Sequence, residues 1–271
     1  MKKVTNSLMT IFAISISMIA CKKETVSPNG ERAVEETQSV AGGLINPSQT
    51  YRLAKRGGDS VFYDNSNRLS KVQTPTNTTL YTYSGNTIIA TTYAGRLIAN
   101  EVVYTLNANG KASQSTHTDY SGALISMKSW MYEYDAKGKL KKRYNKSLPD
   151  ERTEYKYDST NNLERIMWFN ANEPANIQKQ YLPKYKISYK DALLNDKLKL
   201  NPHFSELDQY LKIFGTFSKY LPVHVMYQQD GVVNHEYLKY KFNSDGYLTS
   251  HDETYMGQFV RTVNYGYYAT R

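Results

Sequence analysis

The chain has 271 residues, with 34 Lys and Arg against 25 Asp and Glu, and its formal net charge is +9. This length accommodates one large all-β domain or two smaller ones, either with an ample core. One cysteine excludes an intrachain disulfide, so stability has to come from the core and from backbone hydrogen bonds. The positive balance favours anionic neighbours such as lipid headgroups, acidic glycans or nucleic acid, or it serves only solubility.

The N-terminus has the layout of a cleaved secretory signal over residues 1–20. Two lysines follow the first methionine, and residues 8–20 form an apolar stretch that is too short to span a bilayer. The sequence Met-Ile-Ala-Cys at 18–21 then resembles the lipobox of Gram-negative lipoproteins. That resemblance implies cleavage before Cys21 and lipid on its thiol, so Cys21 is the predicted lipid attachment site.

Residues 21–47 are predicted to form a flexible tether, because they contain Pro and Gly and show no apolar period. A flexible run of roughly 25 residues has an r.m.s. reach of roughly 25–30 Å, which would hold the domain predicted at 48–271 clear of a membrane. The residue after the cysteine is Lys22, and the absence of Asp there favours the outer membrane. Whether the protein faces the periplasm or the cell surface stays open.

From about Tyr51 the chain repeats one short unit. The unit is aromatic-x-aromatic, then Asp, Asn or Ser, a few polar residues, Gly or Asn, and a basic-apolar return. The clearest copy spans 132–140, and further copies span 155–163 and 240–248. The irregular spacing of roughly 20 to 30 residues is typical of hairpin units.

The physics of one unit predicts a hairpin. Tyr132 and Tyr134 are two residues apart, so a strand places both on one face. Asp135 supplies the side-chain acceptor of a type I turn, Gly138 supplies a positive φ, and Leu140 resumes the apolar face. The sequence therefore predicts an all-β fold: an antiparallel hairpin-repeat meander in a twisted or curled sheet.

One segment departs from this pattern and predicts an amphipathic helix near 202–214. Asn201 provides a cap, Pro202 suits the first helical position, and Gly215 follows as a C-terminal stop. Apolar residues recur between them at helical spacing: Phe204, Leu207, Leu211 and Phe214. Such a helix would cover an open edge or face of the sheet.

The motif Tyr-x-Tyr-Asp-x-x-Gly-x-Leu at 132–140 resembles the YD repeat of Rhs-type proteins. Together with the lipobox, the run of hairpins and Ser-x-x-Leu-Pro at 218–222, it is similar to an uncharacterised YD-repeat-like domain family of Gram-negative envelope lipoproteins. The resemblance covers roughly residues 50–268. It implies a β-sheet repeat fold and supplies no activity or binding residues.

Catalytic and metal-binding signatures are scarce in the sequence, which lacks Gly-x-Ser-x-Gly, Walker, dinucleotide and zinc-protease motifs. His117 and Asp119 share a predicted strand face, and His251 neighbours Asp252 and Glu253, but nothing in these spacings demands a metal. Exposed strand faces or turns account for the histidines, which are His117, His203, His224, His235 and His251. Turn caps and solvent-facing positions likewise account for four carboxylates of adjacent units, Glu133, Asp135, Glu154 and Asp158. No catalytic residue, metal or cofactor is predicted.

Tyr-Lys alternation is the most suggestive pattern for binding, with Tyr155-Lys156-Tyr157 as its clearest example. An aromatic face could stack sugars, and a basic face could meet an anionic glycan or lipid. An ordinary amphipathic sheet, apolar inside and charged outside, produces the same pattern and is the more economical explanation.

The sequence therefore favours a lipid-anchored envelope protein that binds or scaffolds without catalysis. Its candidate partners are the membrane through the N-terminal lipid, an anionic glycan or lipid, or another protein, with nucleic acid disfavoured. One alternative is a hydrolase acting on envelope or extracellular glycan, and a second is polyanion binding. Acids or histidines converging in a closed cleft would favour the hydrolase, a flat tyrosine-rich face would favour binding, and one gathered basic patch would favour polyanions.

Overall fold

A computed structural model of the chain describes residues 50–122, 124–173, 185–189, 194–229 and 232–270. The predicted signal, Cys21 and the predicted tether lie outside the described residues. Sixteen strands are present in the described part: β1 Thr50–Arg56, β2 Asp59–Tyr63, β3 Leu69–Gln73, β4 Asn77–Ser84, β5 Thr87–Ala94, β6 Leu97–Leu106, β7 Ala112–Asp119, β8 Ser126–Tyr134, β9 Leu140–Asn145, β10 Arg152–Tyr157, β11 Leu163–Phe169, β12 Tyr185–Ser188, β13 His224–Gln229, β14 Val232–Phe242, β15 Leu248–Tyr255 and β16 Gln258–Thr270.

Every strand pairs antiparallel with its sequence neighbours, and β1 pairs with β16, so the meander closes into a barrel. The antiparallel meander predicted from the sequence is confirmed. The prediction of a twisted or curled sheet is wrong. Pairs such as Tyr51 with Ala269 and Leu53 with Tyr267 join the first and last strands, so the sheet is a closed barrel. Closure removes both sheet edges, so no helix is needed to cover one.

The two ends of the barrel differ. We call rim A the end that holds Thr50, the connection between β12 and β13, and the hairpin turns at 64–68, 85–86, 107–111, 135–139, 158–162 and 243–247. Rim B is the opposite end, where the remaining hairpins turn. In an antiparallel meander these assignments follow directly from the strand order.

Five rim A turns share one hydrogen-bonding pattern, shown best by Asp135. Its carboxylate accepts from the backbone nitrogens of Lys137 (3.0 Å) and Lys139 (2.8 Å), and the nitrogen of Gly138 donates to its carbonyl at 2.9 Å. Gly138 has a φ of +73°, which confirms the turn predicted from the sequence. The other four turns begin at Asp64, Asn107, Asp158 and Asn243.

Tyrosine hydroxyls connect each of these turns to the next hairpin. The hydroxyl of Tyr134 donates to the carbonyl of Ala112 at 2.8 Å, and that of Tyr157 donates to the carbonyl of Leu140 at 2.8 Å. In each case the accepting residue directly precedes a β-bulge in its strand. The same bond recurs in three more pairs: Tyr83 with Leu69, Tyr189 with Leu163, and Tyr267 with Leu248.

Residues 194–223, which we call the plug, lie inside the barrel between β12 and β13. Leu211, Phe214 and Phe217 are almost fully buried and belong to the same core as inward-facing strand residues such as Tyr104 and Tyr155. Aromatic contacts hold this core together, with ring centroids of Tyr104 and Phe214 5.8 Å apart and those of Tyr155 and Phe217 5.7 Å apart. The plug therefore supplies the centre of the hydrophobic core.

The helix predicted near 202–214 is wrong, because the plug follows an irregular path there. The side-chain amide of Asn201 donates to the carbonyls of Asp208 and Leu211, and the carboxylate of Asp208 accepts from the nitrogens of Tyr210 and Leu211, both at 3.0 Å. These local side-chain bonds satisfy backbone groups that a helix would otherwise pair. The apolar residues at helical spacing are buried against the wall instead.

Strand side chains also bond directly to the plug backbone and its buried polar groups. The hydroxyl of Tyr155 donates to the carbonyl of Ser205 at 2.9 Å, and that of Tyr81 donates to the carboxylate of Asp208 at 2.7 Å. The backbone nitrogen of Ala112 donates to a plug carbonyl at 2.8 Å. Buried polar groups left unpaired are costly, so these bonds specify where the plug sits.

The outer face of the wall carries charged side chains and ion pairs. Tyr155 points inward with about 1% of its surface exposed, whereas Lys156 and Glu154 point outward and lie 3.8 Å apart. Glu154 also forms an ion pair with Arg152, with an N–O distance of 3.0 Å. Arg165 forms an ion pair with Glu164, the residue before it on β11. At Tyr155 and Lys156 the structure fits the economical explanation of the Tyr-Lys alternation, with the aromatic ring inside and the charge outside. In the part of the chain described, no helix is long and apolar enough to cross a membrane.

The rim A turns make a direct prediction. Gly138→Val should lower the free energy of unfolding by about 1–3 kcal/mol, because a β-branched residue is strained at φ +73° and its Cβ would collide with the Lys111 side chain. Lys137→Val, at the exposed position before it, should cost much less. Denaturant midpoints measure both, and equal midpoints would show that the turn does not need glycine.

Candidate ligand site in the barrel lumen

The plug leaves free space against β12 to β16, and a separate cavity of about 340 Å³ lies between the plug and β1 to β5. An inner chamber of about 130 Å³ lies between plug and wall. A larger cavity of about 480 Å³, which we call the mouth, lies next to it and reaches rim B, where β12 begins and β15 ends. Three residues with polar side chains line both spaces: His203 from the plug, Glu236 from β14 and Glu253 from β15.

Strand alternation explains why the two wall carboxylates face inward. Leu238 pairs with Glu253 across β14 and β15, and Glu236 pairs with Tyr255 one step closer to rim B. Residues 236, 238, 253 and 255 therefore share the inner face, and the two carboxylates are diagonal neighbours on it. Lys239 and Asp252, the next residues along each strand, pair with each other on the outside.

Glu253 is the centre of a hydrogen-bonded chain of side chains. The guanidinium of Arg261 donates to its two oxygens at 2.6 and 3.2 Å, and His251 Nε2 lies 3.0 Å from Oε1. Because a carboxylate only accepts, Nε2 of His251 carries the hydrogen, and the hydroxyl of Tyr265 lies 3.0 Å from Nδ1 on the other side of the ring. Burial alone would raise the pKa of Glu253, but the bonds from His251 and Arg261 outweigh it and hold that pKa at about 2.

Glu236 and His203 stand in a different environment. The structure gives neither side chain a hydrogen-bond partner among the described residues. Burial, followed by the negative charge of Glu253, raises the pKa of Glu236 above its ordinary value. Burial, followed by the positive charge of Arg56, lowers the pKa of His203, so the imidazole is neutral at pH 7. These two groups are therefore available to a ligand that enters from the mouth.

Aromatic rings form the wall of the mouth. Tyr185 stacks on Phe204 of the plug with ring centroids 5.0 Å apart, and Tyr227 lies 5.7 Å from Tyr185 and 6.4 Å from Tyr255. An apolar pocket with a few convergent polar groups is the usual form of a small-molecule site. The lumen thus contains a site of ligand-binding character.

Most of the residues that the sequence singled out lie elsewhere. Asp135 and Asp158 hold rim A turns, Glu154 lies on the outer face, and Glu133 is exposed. Among the histidines, His117 bonds to Ser115 inside the barrel, and His224 and His235 stack on each other. Within the described ranges, no group of three potential ligands is arranged to hold a metal ion.

No pattern in the sequence pointed to Glu236 or Arg261, and Glu253 stood out only as a neighbour of His251. A usable signal existed for one pair, since His251-x-Glu253 in a strand places both side chains on one face. Nothing in the sequence indicated that this face points into a lumen or that the plug would bring His203 beside it.

Comparisons with known proteins bear on the fold. No family model matches the sequence, and no curated protein matches it. A solved structure of a porin-like protein from Bacteroides uniformis ATCC 8492 is similar, with a TM-score of 0.57 and 18% identity over 78% of this chain and 89% of that one. A porin-like protein from Bacteroides vulgatus ATCC 8482 gives a TM-score of 0.55 and 14% identity over 81% of this chain and 99% of that one.

At these identities the similarity shows the fold alone, and it contradicts the resemblance to a YD-repeat family. A closed 16-strand barrel does not fit an Rhs-like hairpin-repeat domain. The motif misled because an Asp or Asn turn closed by Gly or Asn is a local solution for any hairpin that ends in a bulge. Such a turn carries no information on how the sheet closes.

The hydrogen-bonded chain of side chains centred on Glu253 predicts that the stability of the protein depends on pH. Its pKa in the folded state lies below the ordinary 4.5, so Glu253 contributes stability above that pH, and the contribution disappears as the pH falls towards 2. Glu253→Gln should therefore be less stable than the wild type near neutral pH, with the difference shrinking in acid. Urea denaturation across this range measures it. A difference independent of pH would contradict the assignment, and Glu133→Gln on the surface serves as the control.

Proposed function

We propose that this protein is a non-catalytic barrel of the outer membrane, attached by lipid on Cys21, that binds a small ligand in its lumen. One observation carries the binding proposal: Glu236 and His203 face the passage between inner chamber and mouth, and neither has a hydrogen-bond partner among the described residues. His203 is exposed and Glu236 is half-buried, so water solvates both groups in the free protein, and a ligand with complementary polar groups can replace that water. The aromatic mouth supplies the apolar contact area.

Several observations support attachment through lipid rather than through the wall. The similarity to porin-like proteins favours the outer membrane. Membrane-spanning barrels present an apolar band to lipid, whereas the outer face here carries Arg152, Glu154, Lys156 and Arg165 in ion pairs. Several strands have only four to six residues, and a spanning strand needs about 9–11. A separate anchor such as a lipidated Cys21 meets this need.

The plug places Leu211, Phe214 and Phe217 in the middle of the lumen, so we do not propose a conducting pore. Polyanion binding also lacks support, since basic side chains on the outer wall such as Lys156 and Arg165 sit beside acidic ones. The lumen is the concave surface where polar groups converge.

Glycan hydrolysis is the second candidate, and the pair Glu236 and Glu253 favours it. A carboxyl with a raised pKa beside one with a lowered pKa is the pattern of a general acid and its ionised partner. Against it, both oxygens of Glu253 are engaged by Arg261 and His251, which makes the carboxylate a poor nucleophile or base. Reducing ends released from envelope glycans, and lost in Glu253→Gln, would favour this candidate over binding alone.

The anchor makes a prediction. Cys21→Ala should move the protein from the membrane fraction to the soluble fraction, because the proposed anchor is the lipid on Cys21 and a multiply acylated cysteine holds stably. Fractionation combined with metabolic fatty-acid labelling tests it. A wild-type protein that takes up no label and still sediments with membranes would contradict lipid anchoring.

The lumen site makes another prediction. In a panel of sugars, amino sugars, organic amines and carboxylates, at least one compound should raise the thermal unfolding midpoint. A ligand at 100 times its Kd adds about 2.7 kcal/mol to the free energy of unfolding. Glu236→Leu should abolish the effect, and Glu133→Leu, an exposed position, should preserve it. A panel without stabilisers, or stabilisation unchanged in Glu236→Leu, would contradict lumen binding.

A further inference from the structure

The mouth has an unbalanced charge. Arg261 bonds to both oxygens of Glu253, so these two opposite charges compensate each other. His203 is neutral at pH 7, because burial and the nearby Arg56 lower its pKa. Glu236 is the carboxyl group in the mouth without a salt-bridge or hydrogen-bond partner among the described residues; burial and Glu253 raise its pKa, and a cation bound beside it would stabilise its ionised form. A cation is therefore the charge type that this site would complement.

The aromatic wall favours the same charge. Tyr185, Phe204, Tyr227 and Tyr255 surround the space that Glu236 faces. Aromatic faces carry negative electrostatic potential, and rings grouped around a carboxylate are a recognised environment for organic ammonium ions. A small hydrated metal ion would gain little from these rings, whereas an alkylated ammonium group contacts them directly.

An apolar lip adjoins the mouth at rim B. Phe259 and Val260 at the start of β16 are 65% and 55% exposed, Met256 in the preceding turn is 53% exposed, and Val232 on β14 is 56% exposed. Val260 itself lines the mouth. Contiguous exposed apolar surface beside a pocket is a common feature of binding sites for ligands with an apolar part.

We propose that the mouth binds an organic ammonium ion that carries a short aliphatic chain. The ammonium group lies between Glu236 and the rings of Tyr227 and Phe204, and the chain lies across Val260 at rim B. This inference rests on the proposed lumen binding and names its ligand class.

Three probes that share one tail test it: hexyltrimethylammonium, hexyl sulfate and hexyl glucoside, with tetramethylammonium as the tail-free reference. Isothermal titration on the purified full chain should rank hexyltrimethylammonium first, at least about tenfold tighter than the sulfate and the glucoside. Glu236→Gln should weaken that probe about tenfold and leave hexyl glucoside unchanged. Val260→Ser should weaken hexyltrimethylammonium but not tetramethylammonium, whereas Phe259→Ser, at the neighbouring residue that pairs with the outward-facing Thr254, should change neither.

Matched controls separate specific from general effects. Glu133→Gln removes an exposed carboxylate, and Leu97→Ser removes an apolar side chain that is 77% exposed on a different rim B hairpin; neither should change binding. Equal affinity for the three head groups, or binding unaffected by Glu236→Gln, would overturn the ammonium assignment. Tight binding of hexyl glucoside in place of the ammonium probe would overturn it while leaving lumen binding intact. Failure of every probe, together with a panel that stabilises nothing, would overturn both.

Discussion

Filling of the lumen is the constraint on which the rest of this structure depends. An eight-stranded barrel is narrow enough for its own side chains to fill, whereas 16 strands leave an interior as wide as a channel. Inward-facing residues such as Val61, Leu140 and Ile166 are nevertheless almost completely buried. They are buried because the plug carries Leu211, Phe214 and Phe217 into their midst. Neither wall nor plug would have a hydrophobic core without the other.

The same constraint explains the unusual abundance of tyrosine, with 25 Tyr against 8 Phe. A wide lumen needs long side chains, and a plug of irregular backbone presents carbonyls that need donors. Tyrosine meets both needs, because its ring packs in the core and its hydroxyl reaches a polar group. Tyr155 reaches the carbonyl of Ser205 in this way, and Tyr81 reaches Asp208. At rim A, Tyr134 and Tyr157 use the same geometry to fix neighbouring hairpins.

The candidate site exists where the filling is incomplete. Against β4 to β9 the plug packs on Tyr81, Tyr104 and Tyr132, whereas against β12 to β16 it leaves the inner chamber and the mouth. Rigid strands fix Glu236 and Glu253, and the plug contributes His203 and Phe204, so ligand binding and plug position are coupled by geometry.

Local features of the fold were predictable from the sequence, and long-range ones were not. Alternation placed Tyr155 and Lys156 on opposite faces, and the spacing of Asp135 and Gly138 gave the turn, because both depend on neighbours within a few residues. Closure depends on β1 meeting β16, which no local pattern encodes. The helix prediction failed because helical spacing of apolar residues also suits a segment buried on several sides.

The candidate site was largely invisible for the same reason. Glu236 and His203 line the same cavities only because the barrel closes around the plug, and each residue by itself looks like an ordinary polar position. His251-x-Glu253 was the part that strand alternation could have identified. What the sequence lacked was the information that this face is concave and enclosed.

Amide hydrogen exchange over the plug tests the central claim most directly. If residues 198–217 form the centre of the barrel core, their buried amides exchange as slowly as those of β10 and β11, and both lose protection together in denaturant. Rapid exchange throughout 198–217 in a barrel whose strands remain protected would contradict the account, because the lumen would then be open.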